Sequence, residues 1–273
     1  MTAFLGAILI VLAVDGSGQS AANAPLPDIR QLMQEVRTHQ RQLDKVREYY
    51  TYTSMQTVED IDANGQVKKT QTEEHEDFFV NGHAIERTVR RNGKPLSDHE
   101  QQKETEHATK MVERAERTPP EQPLVTVSRV LEIMDLSNER RVMFRGRPAI
   151  VFDFVGRKHA KTHGLVEDAS KQLQGTVWID EADRQVAHLE VSFIDNFHVV
   201  GGLFVNVQKG SHFGFDQEPV NGEIWLPTGG EGTMQARVLL VKNLRRHFVE
   251  RDYDYKRFKV ETEQGKDAVA KPR

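Results

Sequence analysis

The stretch Gly175–Val191, GTVWIDEADRQVAHLEV, decides how this chain folds. Val177 and Ile179 alternate with Thr176, Trp178 and Asp180; after the polar DEADRQ, Ala187, Leu189 and Val191 alternate with His188 and Glu190. A period of two marks strands with one buried face, so the stretch predicts a β-hairpin. DEADRQ is polar and turn-forming, suited to a short loop. An odd-length loop, such as a type I turn closed by a left-handed Asp183, puts Val177, Ile179, Ala187, Leu189 and Val191 on one face. Trp178, His188 and Glu190 then share the other, whereas an even loop would join Trp178 to the Leu189 face. The odd loop is the expectation. Asp180 and Glu181 then sit in a solvated turn, where exchange for Asn or Gln does little, and the hairpin is a wall rather than a reactive site.

Working outward, the chain has 273 residues, a formal net charge of −4 and no cysteine. Disulfides and thiol catalysis are thereby excluded. The apolar run Phe4–Val14 is too short to span a bilayer but has the length of a signal-peptide core. No Lys or Arg precedes it, which is atypical; small residues follow, and a cut near Ala22 is expected. Removal of residues 1–22 would take away one acid, Asp15, and no base. Lys and Arg are scattered among acids without a basic block, so nucleic acid is not an expected partner. A hydrophobic share of 37% suits one curved sheet with a wet outer face.

Ile29, Met33, Val36, Leu43 and Tyr50 recur at helical spacing, with Asp28 and Gln31 placed as a capping box. From Tyr50 the period becomes two, and Asn-Gly pairs at Asn64, Asn81 and Asn92 predict a meander of three or four strands. Ser97 and Glu100 open a second helix that Pro119-Pro120 ends, with a thin apolar stripe of Ala108, Met111, Val112 and Ala115. A third helix is expected over PLVTVSRVLEIMDL, Pro123–Leu136, and a short helical piece from Leu165 to Leu173. Ile150, Phe152 and Phe154 share one side of a strand just before the opening hairpin. Three to five more strands follow it, with breaks at Gly201-Gly202, Pro219 to Gly222, Pro227 to Gly232 and Lys242-Asn243.

No G-x-S-x-G, H-E-x-x-H, P-loop or S-x-x-K motif is present, so the chain gives little reason to be an enzyme. His159 and His163 have the i,i+4 spacing that on a helix would offer two imidazoles to a metal, but no nearby acid completes the set. No metal or cofactor is expected.

The order of elements resembles the outer-membrane lipoprotein-sorting superfamily, the LolA/LolB/LppX-like proteins, and within it secreted members of unassigned function. The residues that carry the likeness are GTVWID at Gly175–Asp180 with RQVAHLE after it, NGKPLS at Asn92–Ser97, NGEIWLP at Asn221–Pro227, and FRGRPAIVFDF. The resemblance implies an α+β, mostly antiparallel fold: a curved, unclosed half-barrel of about ten strands, with an N-terminal helix and two mid-chain helices on the concave face. The expected organisation is a signal peptide at 1–22, one half-barrel domain at 23–262 and a disordered tail at 263–273.

It also implies a non-catalytic periplasmic protein that holds a lipid, acyl chain or lipoprotein in an apolar cavity. On that reading Ile150, Phe152, Phe154, Val177, Ile179, Leu189, Val191 and Phe193 line the cavity, and Met111 and Val112 belong to a lid. The alternative is an envelope interaction or sensor module that binds a protein partner on the same fold; an exported hydrolase is a third.

Overall fold

A computed structural model describes residues 25–119, 132–199, 205–238 and 242–257. The expected signal run and tail lie outside the described residues, as do Leu124 to Leu131 of the expected third helix.

The first helix, α1 (Ile29–Arg47), starts where Asp28 accepts the Gln31 N–H at 2.9 Å. A meander follows, β1 (Tyr50–Ile61), β2 (Val67–Val80), β3 (His83–Arg91) and β4 (Lys94–Pro95). At two of its Asn-Gly pairs both residues have positive φ, Asn81 with Gly82 and Asn92 with Gly93, as a tight turn between twisted strands requires. Helix α2 (Asp98–Arg117) carries the full Ser97–Glu100 capping box. Then come β5 (Met134–Phe144), β6 (Arg147–Gly156), α3 (Gly164–Ser170), β7 (Leu173–Asp180), β8 (Gln185–Phe193), β9 (Phe197–Val199), β10 (Val205–Val207), β11 (His212–Val220), β12 (Ile224–Val238) and β13 (Lys242–Arg257).

All the strands join one antiparallel sheet in the order β4-β3-β2-β1-β13-β12-β11-β8-β7-β6-β5, with β9 and β10 attached through β12. The sheet does not close, so the open half-barrel implied by the resemblance is present, with thirteen described strands rather than about ten. No helix among the described residues is long and apolar enough to cross a membrane.

Cross-strand partners share a face, which fixes the two sides of the sheet. Ile150, Phe152, Val177 and Ile179 point to one side, where Leu32, Met33 and Val36 of α1 seal them into a core. This is the helix face. Helix α2 sits on the other side, not with α1: Ala108 and Ala115 pack on Ile85, whose partner Phe78 pairs with Thr51 on the face away from Tyr52.

Several local expectations change. Met134–Leu136 is not helical; it begins β5 and pairs with Gly156–Phe154, because the apolar residues find a cross-strand partner. The short helix ends at Ser170, and Leu173 opens β7. Strand β12 runs unbroken from Ile224 to Val238, absorbing Pro227–Gly232 through a bulge opposite Asp216/Gln217.

The opening hairpin has an even loop. Asp180 pairs with Gln185 across four residues, and the left-handed residue is Arg184 (φ 54), not Asp183. A β-bulge near Ala187 then slips the register, so that Trp178 still faces His188 and Val177 still faces Leu189. The bulge turns Val186 into the core and Ala187 toward Phe144, Ala149 and Trp225. Asp180 is not solvated either: it is 2% exposed and bonded to Arg147.

Candidate binding groove

Alternation leaves polar residues on the side of β6, β7, β8, β11 and β12 that faces away from α1. Asp153, Thr176, His188, Glu190, Asp216 and Glu231 project there, and Arg251 joins them from β13. Together they line an open groove of about 1070 Å3. Its floor is bare backbone at Gly214, where an added Cβ would come no nearer than 3.7 Å to any neighbour. Gly229 is different: its φ of 149° and a backbone carbonyl of Glu250 only 2.4 Å from a would-be Cβ demand glycine.

The β5–β6 hairpin closes one end. Its tip is Arg145-Gly146, both with positive φ, and Arg145 reaches over to bond Asp216 at 2.8 Å and Glu218 at 2.9 Å on β11. Phe144 beside it stacks on the His188 ring at 5.5 Å and tilts against Trp178 at 6.0 Å. Trp178 meets His188 edge-on at 4.7 Å. His188 is therefore held on every side: Nδ1 lies 2.7 Å from Asp216 and Nε2 3.2 Å from Glu190. Both ring nitrogens face carboxylates, so neither is turned to a hydroxyl nucleophile.

The groove is acid-rich. Its lining carries five carboxylates, Asp153, Glu190, Asp216, Glu218 and Glu231, against two arginines, Arg145 and Arg251. Arg140 from the rim offsets one more, lying 3.4 Å from Asp153. A hydrogen bond from Asn138 holds the Asp153 carboxyl below its ordinary range; burial opposes this, while Thr176 and Arg140 reinforce it. Glu190 remains largely exposed, with the His188 ring 3.2 Å away. Among the described residues no group of three His, Cys, Asp or Glu side chains is arranged to hold a metal ion.

Of the residues expected to line an apolar cavity, Phe154 and Val191 border this groove. Ile150, Phe152, Val177 and Ile179 lie under α1, with Leu189 packed beside them. Phe193 stacks on Phe197 at 6.4 Å. Met111 and Val112 pack beside Ile85 in a separate cluster on β2–β3. Most of the groove's own residues escaped the sequence, because His188 and Asp216 lie 28 positions apart, and Arg145 and Asp216 lie 71 apart. One signal was available: His188 and Glu190 share a face by alternation.

No family model and no curated protein matches the sequence. Solved structures with a similar fold include an outer membrane lipoprotein-sorting protein domain from Vibrio parahaemolyticus, at 10% identity and TM-score 0.35, covering 82% of this chain and 93% of that one. A DUF1329 family protein from Desulfovibrio piger overlaps 88% of this chain and 97% of its own, at 9% identity and TM-score 0.35. The MucA/MucB complex of Pseudomonas aeruginosa contributes a chain at 10% identity and TM-score 0.21, covering 83% of this chain and 100% of that one. These overlaps are loose.

Proposed function

We propose that the protein is a non-catalytic, exported binding protein of the cell envelope whose groove takes a cationic, extended polypeptide segment. The observation that carries this reading is the acid-rich, open groove running across β6, β7, β8, β11, β12 and β13. At about 4.8 Å between strands, six strands span about 24 Å, the length of roughly seven extended residues. A groove of that length and charge suits Lys- or Arg-bearing backbone and repels phosphate or acidic chains. Export rests on the apolar run Phe4–Val14.

The test is fluorescence anisotropy with a labelled seven-residue lysine-rich peptide and a glutamate-rich peptide of equal length. Exposed ion pairs are worth about 0.2–1 kcal/mol each, so E190Q/E231Q should weaken the lysine peptide about two- to thirty-fold. Equal affinity for both peptides, or none for either, would refute the reading.

A second reading, an acyl chain on the helix face, has its own observation. Phe213, Phe248 and Met234 converge around Gly232 on that side, and Phe213 (39%) and Met234 (44%) keep large apolar surface exposed. Each acyl methylene buried there contributes about 0.8 kcal/mol. Helix α2, with Met111 and Val112, lies on the opposite side of the sheet and does not cover this surface. A mass spectrum of what leaves the denatured protein tests for the lipid. Hydrogen exchange in Asp98–Glu116 should stay unchanged on adding fatty acid, and slowing there would return α2 to the role of a lid.

A further inference from the structure

Strands β2, β1 and β13 bring a second set of acids together on the helix face. His75, Ser54 and Asp252 form one cross-strand row. Asp77 and Glu86 pair in the next, beside Tyr52, and Glu250 stands two residues before Asp252. Asp77 is 3% and Asp252 7% exposed. Asp77 Oδ2, Asp252 Oδ1 and His75 Nε2 are buried without a hydrogen-bond partner, and among the described residues no ion pair reaches Asp77, Glu250 or Asp252. Such atoms are rare in folded proteins and ask for an explanation.

The explanation is a proton. A buried carboxylate with no cation beside it costs several kcal/mol, and the group avoids the cost by staying neutral. Burial and the neighbouring acids push the same way, and the Ser54 hydroxyl and the His75 ring oppose them without outweighing them. From β1 come Tyr52 and Ser54, from β2 His75, from β3 the exposed Glu86, and from β13 Tyr255, stacked on Tyr52 at 5.1 Å. Arg47, at the end of α1, lies over the Phe79 ring at 5.5 Å. Burial pushes the Asp77 carboxyl up to about 6. Burial also raises Asp252, with Glu250 and Asp77 adding repulsion, and raises Glu250, with Glu86 adding to it. These acids titrate as a set rather than singly.

The place of the cluster matters as much as its chemistry. In the strand order, β4, β3 and β2 join the rest of the sheet through β1 alone, and α2 rides on β2 and β3. We propose that Asp77, Glu250 and Asp252 form a proton-operated latch on the β2–β1–β13 seam, closed while the carboxyls carry protons and loosened when they ionise. Ionisation places like charges on β2 and β13, the two neighbours of β1, in a water-poor site, and the seam must open to hydrate them. The β2–β3–β4 unit with α2 then moves as a flap. The latch goes beyond the groove reading and does not depend on it.

Hydrogen exchange of the full chain between pH 5 and 8, corrected for the intrinsic rate, tests the latch. These carboxyls have folded values above their unfolded ones, so their contribution to closure is full below about pH 4 and fades as pH rises through the folded values. Protection in β1, β2 and β13 should therefore fall as pH rises toward the folded values, about 6 for Asp77 and about 7 for Asp252, by up to tenfold per pH unit for each carboxyl, and level off above them. D77N/D252N, which keeps the shape without the charge, should hold its protection to pH 8. Constant protection in the native protein, or an equal loss in the double variant, overturns the latch. Should the variant fail to fold, carboxyl-carbon NMR of the native protein decides: Asp77 titrating near 6 supports the latch, and near 4 overturns it.

Discussion

Replacement of Asp180 by asparagine tests the central local finding. At the end of β7 its carboxylate accepts Arg147 Nε at 2.5 Å and Nη2 at 3.0 Å, and the backbone N–H groups of Ala182 and Asp183 at 3.1 and 2.8 Å. Arg147 also bonds Asp183 at 2.7 Å and lies over Trp225 at 5.6 Å, so one acid anchors the loop and two hairpins at once. An asparagine keeps one oxygen for the loop but turns an amide toward, or takes the charge from, the guanidinium. Hydrogen bonds to charged groups are worth about 1.5–3 kcal/mol. The Arg147 side chain is 40% exposed and can rehydrate, which lowers the expected loss to about 2 kcal/mol. For a domain of this size that is a fall in Tm of about 4–8 °C. Urea unfolding at pH 7 followed by tryptophan fluorescence measures it, and a double-mutant cycle with Arg147→Met should recover most of the loss as coupling. A change within about 0.5 kcal/mol would mean the acid is solvated after all, as its polar neighbours suggest, and would refute the anchoring.

Other outcomes follow from the same packing. Phe152→Ala opens a cavity under Leu32 and Val36 and should cost about 3–5 kcal/mol in urea unfolding, whereas Met143→Ala, at a side chain 68% exposed, should change stability by less than about 0.5. Gly175→Ala should destabilise more than an ordinary glycine exchange, since its Cβ would fall 2.1 Å from the Glu190 carbonyl and 2.4 Å from Phe154 Cζ; an unchanged Tm would contradict the close strand approach. Helix α2, held by Ala108, Ala115, Met111 and Val112, should exchange its amides before the core strands do, and Met111→Ala should speed that exchange while leaving peptide affinity in the groove unaltered.

How much of this could be read from the chain depends on whether the deciding partner is near in sequence. Ile150, Phe152, Val177 and Ile179 alternate so regularly that their shared buried face follows from the pattern. So does α1, from Asp28 and the spacing of Met33 and Val36. The Asn-Gly turns carry their conformation in two residues. Arg145-Gly146 and Arg184 adopt similar left-handed angles without that signature, so the left-handed residue of neither turn was legible, although the DEADRQ loop itself was. Met134 fits a helical stripe and a strand equally well, and only pairing with Gly156 settles it. Asp180 misleads for the same reason: DEADRQ looks like a wet loop, and the arginine that buries its first acid stands 33 positions away. The groove has little local signature beyond His188 and Glu190 on one face, because its other members come from separate strands whose order in the sheet is not their order in the chain.

The same side chain, aspartate, is thus put to opposite uses on two parts of one sheet, and this makes a last prediction. Burial raises the Asp180 pKa, but bonds from Arg147 and the Asp183 backbone outweigh it and hold the group below its ordinary value. Its stabilisation is full above the unfolded value, about 3.9, and is lost as pH falls through the lower folded one. Asp77, raised to about 6, behaves in reverse, stabilising at low pH and losing that contribution as pH rises. Stability should therefore peak near pH 4, with an acid limb below it and a near-neutral limb, falling from about pH 4 to about 7, of separate origin. In urea midpoints measured from pH 3 to 8, D180N should flatten the acid limb alone, and D77N/D252N the near-neutral limb alone. The two sites lie on β7 and on β2 and β13, with no shared partner among the described residues, so the effects should add. If either variant flattened both limbs, the acids would be acting through one cooperative opening of the whole sheet, and the separation of anchor from latch would fail.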